Sequence, residues 1–213
     1  MEFPHPLSHP LVLASSSPRR KQLLESAGLS FKVICPPTEE PALPRQHARP
    51  AELAAALAYF KACSVAQANL DRKASLYVLG ADTVVHREGI LYGKPIDRAD
   101  ASRILSQLAG TTHSVTSGVA LLAVSVASGV SIIDQRLVSS ETTIITMRPM
   151  DIGVIEAYIQ SGAADGKAGA YAIQEGGDAF VEKLAGSFSN VVGLPMALVC
   201  RMLIQMESRS NHK

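Results

Sequence analysis

Residues 12–29 read VLASSSPRRKQLLESAGL, a short apolar run, a Ser-rich turn and a helix. Ser17 suits the N-cap, Pro18 the first helical position, and Gly28 the position after the helix. The charges are the anomaly. Arg19, Arg20 and Lys21 sit in the first turn, where unpaired N–H groups and the macrodipole already make the helix end positive. An anion resting on that end would resolve the conflict, and a helix N-terminus flanked by arginines suits a phosphate.

The strand–turn–helix unit begins an α/β chain. PLVLA is a buried strand, followed by a helix from Pro18 to Ala27, and FKVICPP is a second strand. TEEPALPRQHARP is rich in proline and reads as a loop. Pro50 then opens a helix to about Asn69, and SLYVLGADTVVHREGILYGKP gives strand, turn and strand. Asp97 caps a helix that ends at Gly110. Residues 113–147 form two or three long strands, and a helix runs from about Asp151 to Ser161. GAYAIQ and AFVEKLAG are expected to be strands around a Gly-Gly turn, and a last helix starts near Pro195. The expected fold is α/β with a mixed sheet.

Composition narrows the function. The 213 residues carry a net charge of +1, so no long-range pull toward nucleic acid or acidic membrane exists and an anion site must be local. There are 3 Cys at wide spacing and no CxxC, which suits a reducing compartment. The first ten residues lack the basic and apolar regions of a signal peptide. Residues 114–133 hold no charge, yet VASGVS interrupts them, and a hairpin fits better than a membrane span.

Four places could do chemistry. The SSSPRR turn gathers hydroxyls, N–H groups and guanidiniums; its ordinary alternative is a solvated helix end. Asp82 follows an apolar run, so its carboxylate must be paired, hydrated or metal-bound. Lys94 lies across the expected hairpin. A turn centred on Glu88 puts Lys94 opposite Asp82 as a plain ion pair, whereas a two-residue Glu88-Gly89 turn leaves them diagonal. Leu53, Leu57 and Lys61 share a helix face that should point inward, so Lys61 either snorkels or reaches a buried anion. Glu39 and Glu40 can serve a hard divalent cation, or be solvated loop charges. GAADGK is one residue short of a P-loop and lacks its Ser or Thr, and no GxGxxG or GxSxG occurs.

In this order the pieces are specific. LASSSPRRKQLL, the Glu pair, Lys61-Ala62, GADTVV, GKP, GKAGAYAIQ and SNVVGLP together resemble the Maf family, over about Leu11 to Leu203. Its members are nucleoside triphosphate pyrophosphatases, once described as septum formation inhibitors. The resemblance implies one domain over residues 11–207, with an N-terminal extension at 1–10 and a polar tail at 208–213. It implies an extended mixed sheet flanked by helices in two lobes with a central cleft, similar to inosine triphosphate pyrophosphatase. It also implies hydrolysis to a nucleoside monophosphate and pyrophosphate, a divalent metal (Mg²⁺ or Mn²⁺), a cytoplasmic setting, a nucleotide rather than nucleic-acid or membrane partner, and a homodimer.

Residue roles follow from the same resemblance. Asp82 matches the general base, and Glu40 with Asp82 matches the metal position. Arg20, Lys61 and Lys94 match phosphate-binding positions, and Ser15 and Ser17 line the same turn. Arg19, Thr83 and Gln174 match the triplet of the thymine and uracil branch, whereas the 7-methylguanine branch has Trp, Gln and Glu there. A Gln amide both donates and accepts, which matches O4 and N3–H of a pyrimidine. The expected substrates are therefore dTTP, UTP and 5-modified forms. The alternatives are 7-methyl-GTP, or a nucleotide-sensing septum inhibitor with incidental catalysis. Ala172 and Glu175 replace glycines of the family pattern and bear on base preference.

Overall fold

The computed structural model describes residues 2–39, 41, 49–68, 75–174 and 176–210. Among the described residues a mixed seven-stranded sheet carries the molecule, with six helices around it. Its strands are β1 (Leu11–Ala14), β2 (Phe31–Ile34), β3 (Leu76–Arg87), β4 (Ile90–Tyr92), β5 (Thr112–Ala127), β6 (Val130–Met147) and β7 (Val181–Ala185). The helices are α1 (Pro18–Ser26), α2 (Pro50–Ala68), α3 (Arg98–Leu108), α4 (Ile152–Gln160), α5 (Phe188–Val192) and α6 (Met196–Ser210). The order across the sheet is β2-β1-β3-β5-β6-β7, with β4 added beside β3. β1 pairs in parallel with β2 and β3, and the remaining pairings are antiparallel.

Local rules account for most boundaries. Asp97 and Asp151 accept hydrogen bonds from Asp100 N and Val154 N and so cap α3 and α4. Gly28 follows α1 at φ 72°, a left-handed value that glycine adopts without strain. The charge-free stretch is the β5–β6 hairpin, turned at Ser128 and Gly129 (φ 51° and 75°). Among the described residues, no helix is long and apolar enough to cross a membrane.

Three apolar clusters fill the interior. One lies under α1 and α6, one between the sheet and α3 and α4, and one under α2. The third explains the position of Lys61. A Cβ on Gly80 would come within 2.3 Å of Ala58 O, and one on Gly118 within 2.2 Å of Ala54 O. These glycines of β3 and β5 let the α2 backbone lie directly on the sheet, through Ala54, Ala58 and Ala62. The deepest face of α2 is therefore one residue on from Leu53, Leu57 and Lys61. Lys61 stands on the flank, turned toward the carboxyl half of β3.

One expectation needs correction, and one open choice is settled. GAYAIQ is not a strand: residues Ala168–Ala170 form a short 3-10 turn, with Gly169 at φ 73° and Ala170 at φ 59°. Tyr171, Ala172 and Ile173 are then buried in succession rather than alternately. Their backbone is held by other contacts, because Ala172 N–H donates to Tyr158 OH (3.0 Å) and Gly177 N–H to Ala172 O (3.1 Å). The open choice concerned register, and the two-residue alternative holds. The β3–β4 turn is the two-residue form, Glu88 (φ 52°) and Gly89 (φ 79°), with Val85 opposite Tyr92. Lys94 lies beyond the paired strand and is not the cross-strand partner of Asp82. Gly118 of β5 is.

Candidate active site

The site begins where β1 stops. Ala14, its last residue, is opposite Gly80 of β3, and β3 runs on. Asp82 and Thr83 thus project past the end of β1, where the Ser15–Ser17 turn crosses toward α1. Ligands of open α/β sheets collect at such carboxyl ends.

A cleft of about 590 Å³ opens there. It gathers Ser15, Ser17, Arg19, Arg20, Lys61, Asp82, Thr83, Lys94 and Gln174 on one surface. All the site residues expected from the sequence are therefore brought together except Glu40, which lies outside the described residues. Glu39 lines the cleft and is exposed. Among the described residues the lining holds five cationic side chains (Arg19, Arg20, Lys61, Lys94 and Lys167) and three carboxylates (Glu39, Asp82 and Asp165). A protein of net charge +1 thus concentrates positive charge in this cleft.

Arg20 explains one of the misplaced charges. Its Nε donates to Gly193 O (2.8 Å), Nη1 to Ser15 Oγ (3.3 Å) and Nη2 to Thr83 Oγ1 (3.2 Å). It ties three segments of the cleft wall together. Lys21 instead forms an exposed pair with Glu25, one turn along. Ser17 takes the N-cap position, but its side chain makes no capping bond. Ser15 Oγ accepts from Ser17 N–H (3.1 Å) as well as from Arg20, so its own proton is left to donate. Phosphate oxygens accept and do not donate, so this turn has the polarity they need.

Lys61 Nζ meets Asp82 Oδ1 at 2.5 Å, with only 13% and 12% of the two side chains exposed. Lys61 reaches a buried anion rather than snorkelling, and the anion comes from β3. Neither member is left as an uncompensated buried charge. Asp82 remains on the cleft surface, where a water or a metal ion can approach it.

Sequence reasoning missed several lining residues. Lys167 adds a cation from the segment before Gly169, and Gly169 N–H donates to Gly93 O (3.1 Å), stitching the Lys167 and Lys94 segments together. The signal is the lysine of GAADGK, a segment that falls short of a P-loop but still carries a cation. Tyr171 also lines the cleft, and its OH bonds His113 Nε2 at 2.8 Å. His113 is 2% exposed, and burial, helped by His86 and Arg87, pushes its pKa down to about 4. Burial pushes the Tyr171 phenol upward, with Tyr158 adding to the shift. At neutral pH the pair is uncharged and acts as a brace behind the segment that carries Gln174.

The oxygen donors suit a hard divalent cation. Among the described residues no three His, Cys, Asp or Glu side chains converge as a metal cluster.

Comparison with known proteins agrees with this architecture. The family model described as Maf-like protein matches residues 10–206. A dTTP/UTP pyrophosphatase of Symbiobacterium thermophilum is 41% identical over 196 residues, 92% of this chain and 93% of that protein. The same-named protein of Pelotomaculum thermopropionicum is 42% identical over 193 residues, 91% of this chain and 94% of its own. One from Bacillus anthracis is 38% identical over 202 residues, covering 95% and 98%.

Proposed function

The chain belongs to the Maf family, and from that premise we propose that it hydrolyses dTTP and UTP to the nucleoside monophosphate and pyrophosphate. The observation that carries this is the cleft itself. It sets Asp82 among Arg20, Lys61 and Lys94, with Arg19, Thr83 and Gln174 on the same surface. The relatives that match nearly the whole chain bear the name of this activity.

The chemistry follows from these groups. Water adds to the α-phosphorus, the bond to the bridging oxygen breaks, and pyrophosphate leaves. Asp82 takes the proton from that water as it attacks. Arg20, Lys61 and Lys94 offset the charge on the phosphate oxygens, and Ser15 and Ser17 donate to them. Asp82 and Glu40 would hold Mg²⁺ or Mn²⁺, whose charge would favour departure of pyrophosphate. Arg19, Thr83 and Gln174 would read the base, and the amide of Gln174 suits a pyrimidine edge. We place the protein in the cytoplasm, as a homodimer.

The test is product analysis with dTTP, UTP, 5-methyl-UTP, CTP, ATP, GTP and 7-methyl-GTP, in Mg²⁺ or Mn²⁺. Monophosphate and pyrophosphate from dTTP and UTP are expected. The same products chiefly from 7-methyl-GTP would overturn the base assignment and keep the reaction. Binding without turnover would favour a nucleotide sensor.

A further inference from the structure

Thr83 sits at the mouth of a chain of buried hydroxyls. Its Oγ1 lies 2.8 Å from Ser117 Oγ on the neighbouring strand β5. Ser117 is 0% exposed, and its Oγ donates to the backbone oxygen of Asn190 (3.0 Å). Asn190 is also 0% exposed, and its Nδ2 donates to Val115 O (3.0 Å) and Thr143 Oγ1 (2.9 Å). Ser187 Oγ accepts from Asn190 N–H (3.2 Å). The far end of the chain is thus anchored in α5 and β6.

Proton counting gives the chain a direction. A hydroxyl has one proton and two lone pairs. Ser117 spends its proton on Asn190 O, so at 2.8 Å from Thr83 it must accept. Thr83 therefore points its own proton inward. The competing acceptor, Gly193 O, is farther at 3.5 Å and already takes Arg20 Nε at 2.8 Å. Arg20 Nη2 fills one lone pair of Thr83. What remains for the cleft is a single lone pair.

We propose that Ser117 is a positioning residue that fixes Thr83 as an acceptor, so that the cleft selects a pyrimidine carrying N3–H over one lacking it. The inference rests on the dTTP/UTP reading and deepens it. Gln174 alone cannot make this choice, because turning its amide by 180° exchanges donor and acceptor. Uracil and thymine present N3–H to the Thr83 lone pair, while Gln174 donates to O4. Cytosine presents a lone pair at N3, and two lone pairs then face each other in a partly dry site. A site of fixed polarity discriminates more strongly than one that rotates.

Steady-state kcat/KM for UTP and CTP, in Mg²⁺, tests this in the full chain and in Ser117→Ala. Without the Ser117 acceptor, Thr83 can turn its proton to the cleft. The UTP-to-CTP ratio should fall roughly tenfold, mostly through better use of CTP. Ser117→Cys keeps the shape but accepts poorly, so it should shift the ratio the same way. Circular dichroism checks that each variant is folded. Equal loss for both nucleotides, with the ratio unchanged, would make Ser117 merely structural and overturn the proposal. Wild-type protein that prefers UTP but keeps its ratio in folded variants would sink this inference alone. Wild-type protein that fails on UTP would sink the functional reading with it.

Discussion

In the proposed function the cleft residues serve two ends of one nucleotide, phosphate and base, on opposite principles. At the phosphate end, the residues proposed for it, Ser15, Arg20, Lys61 and Lys94, present donors or positive charge. A phosphate chain accepts on every oxygen, so small errors of orientation there are forgiven. At the base end, Thr83 and Gln174 could each donate or accept, and only their surroundings decide which. That end therefore needs a rigid backing. Ser117 and Asn190 stand behind Thr83, and His113, Tyr171 and Tyr158 behind the segment leading to Gln174. Rate should depend on the first end and choice on the second.

The comparison breaks most visibly at Asp82. Asp82→Asn keeps the shape but removes the proton acceptor, so kcat should fall about 1,000-fold for every nucleotide. Binding of a nucleotide, read by calorimetry, should survive. Selective loss for one base would place Asp82 at the wrong end. Lys94→Ala comes next. It should lower kcat/KM roughly 100-fold, uniformly for UTP, dTTP and CTP, because a cation on phosphate carries no base information.

Acid should act on the brace of the base end. Burial depresses the pKa of His113 to about 4, from an ordinary value of 6.5. Between those values the unfolded chain binds the proton and the folded one does not, so stability falls as pH drops from 6.5 toward 4. The loss from this group is about 2 kcal/mol by pH 5. Thermal melts of the wild type and His113→Leu at pH 5 and 7.5 measure it. The wild type should lose more on acidification than the variant, and identical losses would remove His113 as the cause.

The smallest effect is one of choice. Arg19→Trp combined with Gln174→Glu should raise 7-methyl-GTP relative to UTP by about tenfold, because a carboxylate and an aromatic face suit a cationic base. A change of similar size for all nucleotides would contradict a role in base reading.

How far the sequence reveals all this depends on the range of the interaction involved. The caps at Asp97 and Asp151 and the Pro18 helix start are settled within four residues, and they read correctly. So did the charge-free stretch, because Ser128-Gly129 is a turn signal within it. GAYAIQ misled because its composition suits a strand, while Gly169 and Ala170 take left-handed values and Ala172 N–H bonds Tyr158 OH rather than a neighbouring strand. The partner of Asp82 hinged on one residue of register, and the helix face of Lys61 on two glycines that neighbour it only in space. Nine of the described cleft-lining residues were legible through the family pattern. Ser117 was not, since its meaning lies in a proton passed between β5 and α5, which no local pattern records.

The central claim is that the cationic turn and Asp82 direct water to the α-phosphorus. Hydrolysis of UTP in H₂¹⁸O, with the products separated and weighed by mass spectrometry, tests it most directly. The account predicts the label in UMP, unlabelled pyrophosphate, and neither product from Asp82→Asn at a comparable rate. Label in pyrophosphate, or release of UDP and inorganic phosphate, would contradict it.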